Sequence, residues 1–367
     1  MTDELLGGPV LTALDMPVAS PGGSIELLYD LYTGLMPLID ATVYMLPGDP
    51  RAHVPAGVRL VNAHGKCLDG AQFWEYVDRL RATLAESVRP DVIDVVHLQH
   101  LTFGATPALI RLLPRHPAIA LVHGTDLLTA AAHPTQRHVL AETVSASRAV
   151  VVPTSAMADR LIALHNEARR ARIEHIPWGI PDKLIHTPPL PTRPPDGTLR
   201  VLYAGRLSAE KGFNVIYRAV TAIDGVHLSI AAPHDQYAAH PIREHRSRCP
   251  HTYLGWLPRR WLWKIFPDHD VLIVPSTTLE AFGLTPVEAQ ACGLPVLYHP
   301  APGLKEVLGD SALGVNMTNI PALTRVLRGL QADPTILHEL REAGRRNAAR
   351  YPLSATAAEL QKLGRDM

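Results

Sequence analysis

At 367 residues the chain is too long for one ordinary core, and at roughly 150 residues per domain two domains are expected. Hydrophobic residues at 47% and charged residues at 19% belong to a globular enzyme and exclude a disordered or fibrous chain. Lys plus Arg and Asp plus Glu both number 35, a balance that argues against a nucleic-acid groove or a strongly basic membrane face. Cys67, Cys249 and Cys292 are far apart, odd in number and without metal-ligand spacing, which suits a reducing cytoplasm. No basic-then-apolar leader opens the sequence, and every apolar run is broken before it could span a bilayer, so a cytoplasmic protein without stable membrane insertion is expected.

In chain order, strands are expected at "PVLTALDMP", "ATVYML", "VIDVVHL", "AIALVHG", "RAVVVPT" and "RIEHIP", with helices such as "SIELLYDLYTGL" and "AQFWEYVDRLRATLAESV" between several of them. This alternation predicts a parallel sheet covered on both faces. The stretch "GIPDKLIHTPPLPTRPPDGTLR" follows, and its clustered prolines argue against a helix or a central strand. A second alternation then begins with "RVLYAG", a helix from about Phe213, "VHLSIAA", "HTYLG", "DVLIVPS", a helix after Pro286, "PVLYH" and a helical tail. The reading is α/β, with two domains joined by a Pro-rich linker.

Open α/β sheets bind ligands outside the carboxyl ends of their strands, which singles out "SPGGS", "HGTD", "GRLSAEKG" and "STTLEAFGLTPVE". Two lie in each half, as expected for one cleft between the domains. Arg206 and Lys211 bracket a turn after a strand, and two cations of different reach suit a diphosphate, although surface Arg and Lys are common. Thr285 to Glu288 has the form of a T-x-x-E capping box with Pro286 at the first helical position, so Glu288 has a capping role open to it. Glu280 precedes that cap and needs another partner. The amides at the helix start form an anion site, and Gly283 permits close backbone approach. The two carboxylates accept hydrogen bonds from hydroxyls, and the combination describes a nucleotide-sugar. Gly22 and Gly23 precede a helix with Ser24 as its expected cap, and are either a second source of amides for the diphosphate or plain turn residues. His123 stands at a strand end, either in reach of the reacting sugar or buried and satisfied, with Asp126 close by.

Together "YAGRLSAEKGF", "VLIVPSTTLEAFGLTPVEAQACGLPV", "SPGGSIELL" and "VHGTD" resemble the retaining glycosyltransferases of family 4, the group 1 glycosyltransferases. Their GT-B fold has two Rossmann-like domains with the active site between them. The resemblance covers nearly the whole chain, including "RYPLS" before a last helix that in such proteins returns to the N-terminal domain. It implies an acceptor-binding domain over residues 1–178, a linker over 179–199, a nucleotide-sugar-binding domain over 200–349 and the returning helix over 350–367. By the same resemblance Glu288 holds the donor's ribose, while Glu280 and the backbone of Phe282, Gly283 and Leu284 hold the transferred sugar. Arg206 and Lys211 neutralise the diphosphate. His123 sits beside the sugar's reacting face. Such enzymes are thought to admit the acceptor on the face from which the leaving group departs, with positive groups stabilising the departing diphosphate. No protein nucleophile, metal or cofactor is implied, only the nucleoside-diphosphate-sugar as substrate.

Some residues depart from the family pattern. Trp178 stands where Asn is common, and Ala232 with Pro233 where a Gly-rich turn is common. In "GWLPRRWLWKIF", Trp256, Trp261 and Trp263 either pack on the base or, at helical spacing, on the core. Asp268 and Asp270 in "DHD" match a metal motif of another glycosyltransferase fold but open a strand, and "HLQH" is no helix-spaced zinc pair, so no metal is expected. The polar stretch "NAHGKCLDGAQFW" is the candidate acceptor side. Basic clusters are short and mixed with acids, unlike the faces of lipid-acting relatives, so a small soluble acceptor is expected, with natural-product biosynthesis as one setting. The sequence leaves open a cell-envelope or polysaccharide glycosyltransferase, and also a pseudo-glycosyltransferase or a nucleotide-sugar-binding protein without turnover. An oxidoreductase lacks support, because no G-x-G-x-x-G follows an expected strand.

Overall fold

The apolar runs of both halves build parallel sheets in the computed structural model, which describes residues 10–192, 197–207, 212–240, 251–277 and 280–367. Two units divide the chain, Met1–Gly179 with Leu353–Met367, and Ile180–Pro352. Among the described residues the first unit has the strands β1 (Val10–Pro17), β2 (Ala41–Leu46), β3 (Val58–Leu60), β4 (Val95–Gln99), β5 (Ala118–Leu121), β6 (Ala149–Val152) and β7 (Ile173–His175). Their order is β3-β2-β1-β4-β5-β6-β7, parallel throughout. Every residue of "VVHLQ", "AIAL" and "AVVV" is buried, as a central parallel strand covered on both faces requires. The helices are α1 (Gly23–Tyr32), α2 (Gly70–Ala85), α3 (Ala105–Leu112), α4 (Thr125–Ala132), α5 (Pro134–Ala146) and α6 (Ser155–Leu164).

The second unit contains α7 (Asp182–His186), β8 (Leu199–Ala204), α8 (Phe213–Val220), β9 (Val226–Ala231), α9 (His234–Ala239), β10 (His251–Tyr253), α10 (Arg259–Ile265), β11 (Val271–Val274), α11 (Leu284–Ala291), β12 (Val296–Tyr298), α12 (Pro302–Leu308), β13 (Leu313–Gly314), α13 (Ile320–Ala332) and α14 (Pro334–Ala348). Its sheet order is β10-β9-β8-β11-β12-β13, again parallel. Phe213, Ile216, Ala219 and Val220 form one stripe of α8 and enter the core with Leu323, Leu327 and Leu330 of α13. The last helix, α15 (Leu353–Arg365), belongs to the first unit, where Thr356 Oγ1 donates to the Pro177 carbonyl (2.8 Å) and Gln361 Nε2 to that of Leu38 (3.0 Å).

One expectation about the backbone is corrected, and two short strands are added. The Pro-rich stretch does hold a helix, α7, because its prolines cluster from Pro188 onward and Pro181 precedes the first turn, where a missing N–H is harmless. The edge strands β3 and β13 were unforeseen, being only three and two residues long.

Candidate functional site

Each sheet changes its direction of growth once. In the second unit the chain runs from β8 outward to β9 and β10, then returns to place β11 on the other side of β8. The carboxyl ends of β8 and β11 therefore flank the topological switch point, where open α/β sheets bind ligands. The loop with Arg206 leaves β8, and the loop with Glu280 leaves β11. Arg206 is exposed, and its carbonyl accepts the Tyr203 hydroxyl. Lys211, the second expected cation, lies outside the described residues.

Glu280 is partly exposed, and its carbonyl backs onto Gly303 in the first turn of α12. A Cβ at Gly303 would stand 2.0 Å from that oxygen, so glycine alone lets α12 support the loop. Phe282 is buried edge-on to Tyr351, with ring centroids 5.1 Å apart, and anchors the loop through its side chain. Gly283 adopts φ 86°, and a side chain there would also meet Leu304 and Pro286. That left-handed residue is the N-cap of α11, whose first residue is Leu284.

The capping box is therefore corrected. Thr285 lies inside the helix, Pro286 is its third residue, and Glu288 falls beyond the first turn. Glu288 is instead buried among partners from α10. The Arg259 guanidinium pairs with its Oε1, and the Trp263 indole donates to Oε2 at 2.8 Å. Arg259 also lies 5.1 Å from the Trp263 ring centroid. Trp263 thus packs on a carboxylate, while Trp256 and Trp261 are 46% and 50% exposed, which corrects the expectation of helix-spaced core packing. Arg259 was not foreseen, although it and Trp263 are four residues apart and share a helix face. Gly303 carried no signal in the sequence.

The "DHD" acids have structural partners. Asp268 accepts from the Thr192 amide and hydroxyl, both at 2.6 Å, and Asp270 accepts from the Arg200 amide at 2.8 Å and pairs with Arg341 at 3.4 Å.

In the first unit the switch point lies between β1 and β4. Gly22 follows β1 and is the N-cap of α1; its carbonyl accepts from the amides of Ile25 and Glu26, both at 3.2 Å. Gly23 is the first helical residue, so Ser24 lies inside the helix and the expected Ser24 cap is corrected. His123, after β5, places Nε2 3.1 Å from Gln99 Oε1 and stacks on Trp178 at 5.6 Å and 23°. Burial pushes its pKa down to about 3, so the ring is neutral, and a proton on Nε2 leaves Nδ1 as an acceptor. Asp126 is fully buried and accepts from the amides of Leu101 (3.0 Å), Leu127 (3.1 Å) and His123 (3.4 Å), which makes it a fastener of the backbone around β5. Desolvation raises its pKa above the usual carboxylate value.

A profile described as glycosyl transferases group 1 matches residues 191–349, and one described as glycosyltransferase family 4 matches residues 21–184. The chain belongs to the group 1 glycosyltransferases. This glycosyltransferase is 26% identical to D-inositol 3-phosphate glycosyltransferase 1 of Catenulispora acidiphila, over 95% of its own length and 93% of the relative's. It is 30% identical to the D-inositol 3-phosphate glycosyltransferase of Mycolicibacterium smegmatis over 61% of its length and 56% of that chain. An uncharacterized cps-region protein of Klebsiella pneumoniae matches at 30% identity over only 32% of each chain. Among solved structures, sucrose-phosphate synthase from Thermosynechococcus elongatus superposes with a TM-score of 0.80 at 18% identity over 98% of both chains. Anabaena HepE in complex with UDP and glucose gives 0.74 at 17% identity, over 98% of this glycosyltransferase and all of that chain. The fold is GT-B, with two parallel-sheet Rossmann-like units. Among the described residues, no helix of this glycosyltransferase is long and apolar enough to cross a membrane.

Proposed function

We propose that this glycosyltransferase moves a sugar from a nucleoside-diphosphate-sugar to a small polar acceptor with retention of anomeric configuration, and that it needs no metal. The observation that carries this reading is the convergence, at the switch point of the second unit, of the Arg206 loop after β8 with the Glu280–Leu284 loop and the α11 N-terminus after β11. No side chain of the N-cap residue covers the first amides of α11, and Pro286 supplies none, so Leu284 and Thr285 are the donors offered to an anion.

In this reading Arg206 and Lys211 neutralise the departing diphosphate, Glu280 and the backbone of Phe282 to Leu284 orient the sugar, and Glu288 takes the ribose hydroxyls in exchange for its bonds to Arg259 and Trp263. In the first unit Gly22 and Gly23 offer amides at the start of α1, and His123 Nδ1 is an acceptor at the carboxyl end of β5. The leaving phosphate oxygen takes the acceptor's proton, so retention requires no protein nucleophile. Similarity to HepE, solved with UDP and glucose, supports a nucleotide-sugar donor. The short, mixed-charge clusters support a soluble acceptor, of the kind decorated in natural-product biosynthesis, met in the cytoplasm.

The test is a binding panel of UDP-, GDP-, ADP- and dTDP-sugars by thermal shift. Turnover is then followed with the best donor in EDTA, and the product's anomeric configuration is read by NMR. Saturable binding of one nucleotide series and a retained anomer are expected. An inverted product, or activity lost to EDTA and restored by Mg²⁺ or Mn²⁺, would overturn the mechanism.

A further inference from the structure

A central parallel strand is ordinarily apolar on both faces, yet β4 carries His97 and Gln99, which are only 1% and 3% exposed. Two residues apart, they share one face of the sheet. Gln99 ends β4 and is in register with Leu121, the last residue of β5. His123 follows two residues later, so it emerges on the same face, and its Nε2 lies 3.1 Å from Gln99 Oε1.

Which end of the Gln99 amide meets His123 follows from its other neighbour. Helix α1 brings Tyr32 to this face, with its hydroxyl 2.8 Å from His97 Nδ1. Burial pushes the Tyr32 pKa up, and a hydrogen bond from Gln99 partly offsets the rise. A group that lowers a phenol's pKa donates to its oxygen. Gln99 Nε2 is buried and outside full hydrogen-bond geometry with any group, so Tyr32 is the acceptor it leans on. The amide oxygen is left for His123, and an amide oxygen only accepts. The proton between them therefore sits on His123 Nε2.

The two nitrogens of the ring differ in what they meet. Nε2 faces the buried amide, whereas Nδ1 has no hydrogen bond among the described residues and is not one of the enclosed atoms that lack a partner. On this partly exposed ring, Nδ1 is the nitrogen that opens to solvent. Trp178 stacks on the ring, and His100 packs against it at 4.6 Å and 52°, so its plane is held. Asp126 accepts the His123 amide at 3.4 Å and holds its backbone.

We propose that Gln99 is a positioning residue, which pins His123 as the Nε2-protonated tautomer so that Nδ1 accepts a hydrogen bond and never supplies a proton to the departing diphosphate. This rests on His123 serving as an acceptor in the function proposed above. The amide makes that role a property of the fold and not of the surrounding pH.

NMR of the full chain labelled with nitrogen-15 histidine reads the tautomer without any ligand, and His123→Phe assigns the signal. In the wild type above neutral pH, Nε2 should carry the proton. Gln99→Leu would leave a buried Nε2–H without an acceptor, so the tautomer ratio should shift toward Nδ1–H by about tenfold. Gln99→Glu keeps an acceptor and adds a negative charge that favours the imidazolium, so Nε2–H should persist and the His123 pKa should rise. Turnover of the donor found by the binding panel should fall about tenfold in Gln99→Leu with little change in KM. Gln99→Glu should restore it above neutral pH and lose it as pH falls through the raised pKa, where Nδ1 gains a proton. An Nδ1–H ring in the wild type overturns the proposal, as does an unchanged tautomer ratio in Gln99→Leu. If that variant does not fold, an unmoved His123 pKa in Gln99→Glu overturns it instead. A reversed tautomer with wild-type turnover would count against the part given to His123 and still support Gln99 as the group that sets the ring.

Discussion

Glu288 shows how one carboxylate can be assigned for the wrong local reason. As a capping residue its loss would cost about 1 kcal/mol. As the buried partner of Arg259 and Trp263, it leaves a guanidinium without its counter-charge when removed, which costs about 3–5 kcal/mol. The Glu288→Ala variant should therefore fall at the higher figure in urea denaturation, and the Arg259→Met, Glu288→Met double variant should recover most of the loss. A deficit near 1 kcal/mol in the single variant would mean that the pair contributes little. Glu280 belongs to the surface of its loop, so Glu280→Ala should preserve the melting temperature and the affinity for free nucleoside diphosphate. The sugar-diphosphate should bind more weakly and turn over more slowly, because hydroxyl contacts orient the reacting carbon. Equal weakening of both ligands would remove Glu280 from the sugar site.

At the level of elements, the support of the Glu280 loop by α12 makes Gly303 a silent participant. Gly303→Ala sets a methyl against the Glu280 carbonyl, and overpacking of this kind costs about 1–3 kcal/mol or displaces the loop. The expected outcome is a modest drop in melting temperature with a larger fall in kcat; a drop in stability alone would show that the loop position is not critical. Nothing near Gly303 in the sequence announces this, because the contact joins segments that only the fold brings together. The strands were legible for the opposite reason: "AVVV" and "AIAL" carry their burial in their own composition. Helix starts were less so. Thr285 and Ser24 are better caps by residue type than Gly283 and Gly22, yet at α11 the left-handed turn and the packing of Leu304 decide the boundary.

Across the whole molecule, buried histidines tie stability to pH. His97 is fully enclosed, 2.8 Å from the Tyr32 hydroxyl, and burial pushes its pKa from 6.5 down to about 4. The unfolded chain then binds the proton that the folded chain refuses, so this contribution is intact above pH 6.5 and lost as pH falls toward about 4. The loss reaches on the order of 3 kcal/mol at the acid end. Urea midpoints should decline across that interval, and His97→Gln should flatten the decline; an unchanged slope would show that other groups govern it. A different consequence follows from the split composition of the first unit, which takes α15 from the far end of the chain. During synthesis its sheet is finished when β7 emerges, but Thr356 and Gln361 reach Pro177 and Leu38 only after all of Ile180–Pro352 has been made. At ribosomal speeds that interval lasts on the order of ten to forty seconds. For that time the surface awaiting α15 is bare, and a chaperone or the nascent second unit has its opportunity there.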